Sequence, residues 1–211
     1  MILELKRISR SPEYTYTITQ RDSIVGSASF PVHNQKSIDP KIKVFSSSMQ
    51  LCVPTWTYAL SNPDGVVAAL GNLCMDGQPG KITTQIVGKG IFSRYIRYNI
   101  FWGELSLQAY EIGFGRKGIY FVLKSGDTTL AVISKAMRTV NYLSAYKLYI
   151  EDESLRGMTV LLALYWDVTN YLQSLETSLA HIEYHRLDTI QKGLKKHYDP
   201  TFIPRIESME S

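Results

Sequence analysis

The chain is short of the residues on which most chemistry is built. It has two cysteines, Cys52 and Cys74, in 211 residues and no CxxC spacing, which excludes a disulfide framework and leaves two reduced buried thiols or a single bridge. It has four histidines. His181 and His185 stand four apart, but Ile182 occupies the place where a metalloprotease motif needs Glu, and no third ligand is evident, so no metal site is expected. No Gly-x-Ser-x-Gly, P-loop or Cys/His dyad occurs, and no cofactor is implied. No run of five like charges occurs either; 23 Lys and Arg against 19 Asp and Glu give only +4, which calls for no nucleic acid. The densest apolar stretch, Met158 to Trp166, falls far short of the roughly 20 apolar residues that a membrane-crossing helix needs. The start, MILELKRISRS, lacks the apolar middle and small-residue cleavage site of a signal peptide, and no Asn-X-Ser/Thr sequon is present; both point to the cytoplasm.

What the sequence does have is alternation. Hydrophobic residues at 45% against 20% charged exclude disorder as the main state, and the aromatics lean to tyrosine, 14 against 7 Phe and 3 Trp. Tyr14-Thr-Tyr-Thr-Ile-Thr19 alternates large apolar residues with Thr and predicts a strand, with Arg21-Asp22-Ser23 turning it into Ile24–Phe30. Further strands are predicted at Lys41–Phe45, Trp56–Leu60, Val66–Leu70, Ile82–Val87, Ile91–Tyr98, Leu107–Phe114, Ile119–Leu123, Thr128–Ser134 and Tyr146–Ile150. Asn62-Pro-Asp-Gly65 and Ser125-Gly-Asp127 read as hairpin turns. Gly113-Phe-Gly-Arg-Lys-Gly118 matches a dinucleotide fingerprint in letters, but a strand follows it where the pyrophosphate site needs a helix, so its glycines read as a bend.

After Ile150 the period changes. Glu151-Asp-Glu-Ser154 supplies acids and a cap for a helix over 155–172 that is apolar on nearly every side, with a narrow stripe of Thr159, Ala163, Asp167 and Asn170. Such a helix needs a container. The predicted fold is mainly β (α+β), a closed antiparallel β-barrel of about twelve strands around a central hydrophobic helix, plus a C-terminal amphipathic helix from Leu175 to about Lys196. Residues 1–172 form the barrel domain on this reading, and 173–211 a helical extension whose last residues, Glu207 to Ser211, fray. Asp167, if buried and charged, needs a cationic partner, for which Arg94, Arg97 and Arg138 are candidates.

Tyr110-Glu-Ile-Gly-Phe-Gly115, Gly118-Ile-Tyr-Phe121, Tyr146-Lys-Leu-Tyr-Ile-Glu-Asp-Glu153 and Leu161-Leu-Ala-Leu-Tyr-Trp-Asp167 resemble the bacterial branch of the Tubby C-terminal-like superfamily, which groups Tubby domains, LURP-one-related proteins and phospholipid scramblases. The resemblance implies a roughly twelve-stranded barrel around a hydrophobic helix. It also implies a non-enzymatic protein that binds anionic phospholipid or phosphoinositide peripherally, at the inner membrane face. Arg94, Arg97, Arg116 and Lys117, interleaved with aromatics, are the candidate lipid-binding residues. Two alternatives stand beside it. One is a cytoplasmic interaction or structural module that binds a protein partner, or a second copy of itself, through an apolar stripe over 175–194. The other is an enzyme with a small pocket near Asp167.

Overall fold

In the computed structural model, residues 1–9, 13–31, 37–38, 41–44, 47–54, 71–75, 78–89, 93–141, 143–170 and 182–210 are described. The N-terminal strands are β1 (Ile2–Ser9), β2 (Glu13–Gln20), β3 (Ser23–Pro31), β4 (Ser37–Ile38), β5 (Lys41–Val44) and β6 (Ser47–Pro54). They are followed by β7 (Gly71–Met75), β8 (Gln78–Val87), β9 (Tyr95–Trp102), β10 (Leu105–Gly115), β11 (Ile119–Ser125), β12 (Thr128–Lys135), β13 (Arg138–Val140) and β14 (Ala145–Ile150). Helix α1 (Arg156–Asn170) comes next, and the C-terminal segment holds β15 (Ile182–Tyr184), β16 (Leu187–Asp188), α2 (Lys192–Lys195) and α3 (Phe202–Glu210).

The main sheet has fourteen strands in the order β11-β12-β14-β1-β2-β3-β5-β6-β7-β8-β9-β10-β16, with β4 attached to β6 and a further pairing between β10 and β11. All its pairings are antiparallel. Where side chains are described, alternation sends one set inward. Leu3 and Leu5 of β1, Tyr16 and Ile18 of β2, Ile100 of β9, Phe121 of β11, Ile133 of β12 and Leu148 of β14 are all buried in one cluster with α1. The helix begins where the sequence supplies a cap: Asp152 accepts from the Ser154 amide at 2.9 Å and leads through a 3-10 turn at Glu153–Leu155. Every residue from Gly157 to Asp167 is buried, the polar Thr159 and Asp167 included. Thr159 satisfies its hydroxyl within the helix, donating to the Leu155 carbonyl at 2.8 Å. Trp166 lies against Phe121 with ring centroids 5.0 Å apart.

The expected architecture is corrected in three respects. The closed barrel of about twelve strands around a central helix is replaced by a fourteen-stranded sheet whose order ends on β11 and on the two-residue β16, with β4 hanging off β6; uniform closure is not what forms. The helix is short, Arg156–Asn170, and touches β6, β7, β12 and β14. Over the described part of the predicted C-terminal amphipathic helix, 182–196, only Lys192–Lys195 is helical. Ile182–Tyr184 instead pairs with β13, and Leu187–Asp188 with the upper part of β10. Strand edges left by β13 and β10 offer backbone partners that outweigh a local apolar stripe. Gly113 permits the second pairing, since a Cβ there would lie 2.1 Å from the Leu187 carbonyl oxygen. The Thr189 amide then donates to the Gly113 carbonyl at 3.0 Å, and the Gly113 amide donates to Thr189 Oγ1 at 2.9 Å.

The C-terminal segment also builds a second core on the outward face of the sheet. Tyr110, Ile112, Val122, Val132 and Tyr149 are covered by Leu194, Phe202 and Ile206. The residues expected to fray continue α3 as far as Glu210, which meets the Met1 ammonium at 3.4 Å and Arg21 at 3.0 Å. Of the predicted turns, Arg21–Asp22 (both at positive φ) and Ser125-Gly-Asp127 connect their hairpins. The Asn62–Gly65 turn and its flanking strands lie outside the described residues, as do His181 and the side chains of Cys52 and Cys74.

Candidate functional site

Two polar features stand out, one inside the sheet and one at an end of it. The first centres on Asp167, near the C-terminal end of α1 and wholly buried. Its Oδ2 accepts from Arg7 Nη2 and, at 2.6 Å, from the Tyr16 hydroxyl; its Oδ1 accepts from the Tyr146 hydroxyl. Arg7 also donates from Nε to Tyr16 Oη and from Nη2 to Ser144 Oγ, both at 3.2 Å. Lys135 completes the cluster, 3.4 Å from Ser144 Oγ and 3.5 Å from the Tyr146 hydroxyl. Burial alone would raise the Asp167 pKa, but the Arg7 charge and the hydrogen bonds from Tyr146, Tyr16 and Arg7 outweigh it and hold the carboxyl below its ordinary value. Burial, reinforced by Asp167, pushes the Tyr16 and Tyr146 phenols well above theirs. The Arg7 guanidinium loses hydration on burial, yet the facing carboxylate makes its protonated state still more secure.

The partner of Asp167 is therefore Arg7, and not Arg94, Arg97 or Arg138. Arg94 and Arg138 are exposed, and Arg97 donates to Gln85 Oε1 from the outward side of β9. The signal for Arg7 lies in the first strand, where the alternation that buries Leu3 and Leu5 also turns Arg7 inward. What no local pattern shows is that β1 pairs with β14, which sets Arg7 beside an acid 160 residues away.

The second feature follows from topology. In an antiparallel sheet successive turns lie at opposite ends. The β8–β9, β10–β11 and β12–β14 connections share one end, and the β2–β3, β9–β10 and β11–β12 turns share the other. At the first end Lys89, Arg94, Arg116, Lys117, Arg138 and Arg186 are exposed, against the carboxylates of Glu13 and Asp188. Ile8, Ile96, Val140 and Tyr184 are exposed there too. The other end carries Asp22, Glu104, Asp127, Glu151, Asp152 and Glu153 with the cations Arg21, Lys124, Lys196 and Arg205, of which Arg21 and Arg205 are engaged by Glu210 and Glu151. Of the four candidate lipid-binding residues, the fold thus brings Arg94, Arg116 and Lys117 to one end. Arg97 stands apart from them on the strand.

His185 donates its amide to the Met137 carbonyl at 2.8 Å and has its ring Nε2 3.3 Å from Thr139 Oγ1, so its surroundings are those of an ordinary structural histidine. Among the described residues no helix is long and apolar enough to cross a membrane. Comparison with family models, curated proteins and solved structures finds no match, so the resemblance to Tubby-like domains rests on the sequence segments quoted above.

Proposed function

We propose that this protein is a non-enzymatic binding module whose basic end docks peripherally on anionic phospholipid, phosphoinositide included. The observation that carries this reading is the segregation of charge between the two ends of the sheet, with apolar side chains exposed among the cations. A basic surface is drawn to an anionic leaflet, and side chains such as Ile96 and Tyr184 can enter its interfacial layer. On this reading the protein works in the cytoplasm, at the inner membrane face. The enzymatic alternative finds little support around Asp167, because both carboxylate oxygens are already engaged by Arg7, Tyr16 and Tyr146. Two residues of the stripe behind the self-association alternative, Leu187 and Leu194, pack on the chain's own sheet.

Sedimentation with phosphatidylserine vesicles, against phosphatidylcholine vesicles, tests the proposal at low and high salt. Each basic side chain near such a surface is worth about 1 kcal/mol, so replacing Arg94, Arg116 and Lys117 together by Gln removes about 3 kcal/mol, or about two orders of magnitude in partitioning. Absence of binding to anionic vesicles at low salt, where screening is weakest, would refute it.

A further inference from the structure

Between β12 and β14 the chain leaves the main sheet, and β13 pairs with β15 in a separate two-stranded ribbon at the basic end. Alternation gives the ribbon two unlike faces. Thr139 is turned inward, 2% exposed, with its Oγ1 3.3 Å from His185 Nε2, and the His185 amide donates to the Met137 carbonyl. Met137 in turn packs on the core around α1, so the ribbon is rooted and its shape is set before any partner arrives. The other face carries Arg138 and Val140 of β13 and Tyr184 of β15, with Arg138 directly across from Tyr184. Tyr184 is 73% exposed and Val140 46%. A tyrosine and a valine held in water on a rooted ribbon release free energy when something covers them.

Charge decides what that cover is. The apolar centre of a protein–protein contact is depleted of charged residues. Here the exposed apolar side chains sit among arginines: Arg138 lies across from Tyr184 and two residues before Val140, and exposed Arg186 follows Tyr184 by two. An amphipathic ring beside a long cation suits a membrane surface, where the ring lies at headgroup level and the guanidinium reaches the phosphates. On the membrane-docking reading, on which this step rests, we infer that the β13–β15 ribbon is the part that enters the bilayer. Tyr184 and Val140 lie in the interfacial layer of an anionic leaflet, with Arg138 on its phosphates. The ribbon then adds an apolar hold that salt does not screen to the attraction of Arg94, Arg116 and Lys117. It also fixes which edge of the basic end faces the lipid.

Fluorescence of the full chain carrying Tyr184→Trp tests it, with vesicles of phosphatidylserine and phosphatidylcholine in which the phosphatidylcholine chains are brominated. The introduced indole is expected to shift to shorter wavelength and to be quenched. Phe101→Trp, at an exposed position of the acidic end, is expected to show neither. Wild type, with its three native tryptophans, supplies the baseline. In sedimentation, Val140→Ser/Tyr184→Ser is expected to lower partitioning about tenfold and to keep the salt dependence of wild type. Binding that leaves the Tyr184→Trp variant unquenched overturns the inference while the docking reading stands, and leaves the ribbon's face for a protein partner. Equal quenching at both positions, or unchanged partitioning in the serine variant, overturns it as well. Wild type that fails to sediment with anionic vesicles at low salt refutes the docking reading itself, and the ribbon's role with it.

Discussion

Replacing Asp167 by Ala should be among the most destabilising single changes in this chain. The substitution removes the acceptor of three buried donors, Arg7 Nη2 and the hydroxyls of Tyr16 and Tyr146. Arg7 keeps Tyr16 and Ser144, each at 3.2 Å, but neither carries a compensating charge. Removing one partner of a buried pair costs about 3–5 kcal/mol, because the other charge stays desolvated. Against a total stability of about 5–15 kcal/mol this is a large fraction, and for a chain of this size it lowers the midpoint of thermal unfolding by about 6–20 °C. Circular dichroism during heating and during urea titration would measure it. The Arg7→Met/Asp167→Leu double variant should be more stable than the sum of the two singles predicts, by about 2 kcal/mol or more, since it removes the guanidinium and the carboxylate together. A cost below about 1 kcal/mol for Asp167→Ala, or additivity in the double variant, would refute the view that the pair is buried and coupled. The pH dependence carries the same sign. The folded state holds the Asp167 carboxyl below its ordinary value, so the contribution is present above the unfolded value of about 3.9 and is lost as pH falls through the folded one. Wild type should lose more stability than Asp167→Ala on acidification.

Three further outcomes are expected. Leu161 is fully buried; Leu161→Ala should cost about 2–5 kcal/mol in urea unfolding, and Leu161→Asp should abolish the cooperative transition, so a stable aspartate variant would contradict the burial of α1. Phe202→Ala should cost about 3–5 kcal/mol by the same assay, whereas a negligible effect would mean that α3 does not cover the sheet. Burial, with the nearby charges of Lys124 and Arg97, lowers the His197 pKa, so the folded state resists a proton that the unfolded state accepts near pH 6.5. Stability should therefore decline as pH falls through about 6.5, and His197→Gln should flatten that part of the profile; an unchanged profile would show that His197 is solvated.

By itself the sequence determined the local elements. The 3.6-residue pattern after Ile150 located a helix that forms over Arg156–Asn170, and the acids before it supplied the cap at Asp152. Period-2 runs and turn residues located β2, β3, β11 and β12 with their hairpins, because backbone conformation at a turn is set by the few residues in it. Which strands meet is not a local property, and the functional features depend on it. The pairing of β1 with β14 gave Asp167 its arginine, and the sense of each strand sorted the basic turns from the acidic ones. The stripe from Leu175 to Leu194 read as a helix, yet backbone partners offered by β13 and β10 drew residues 182–184 and 187–188 into strands. Periodicity records which face of a segment is apolar; only the tertiary structure decides what that face, and the charges beside it, will meet.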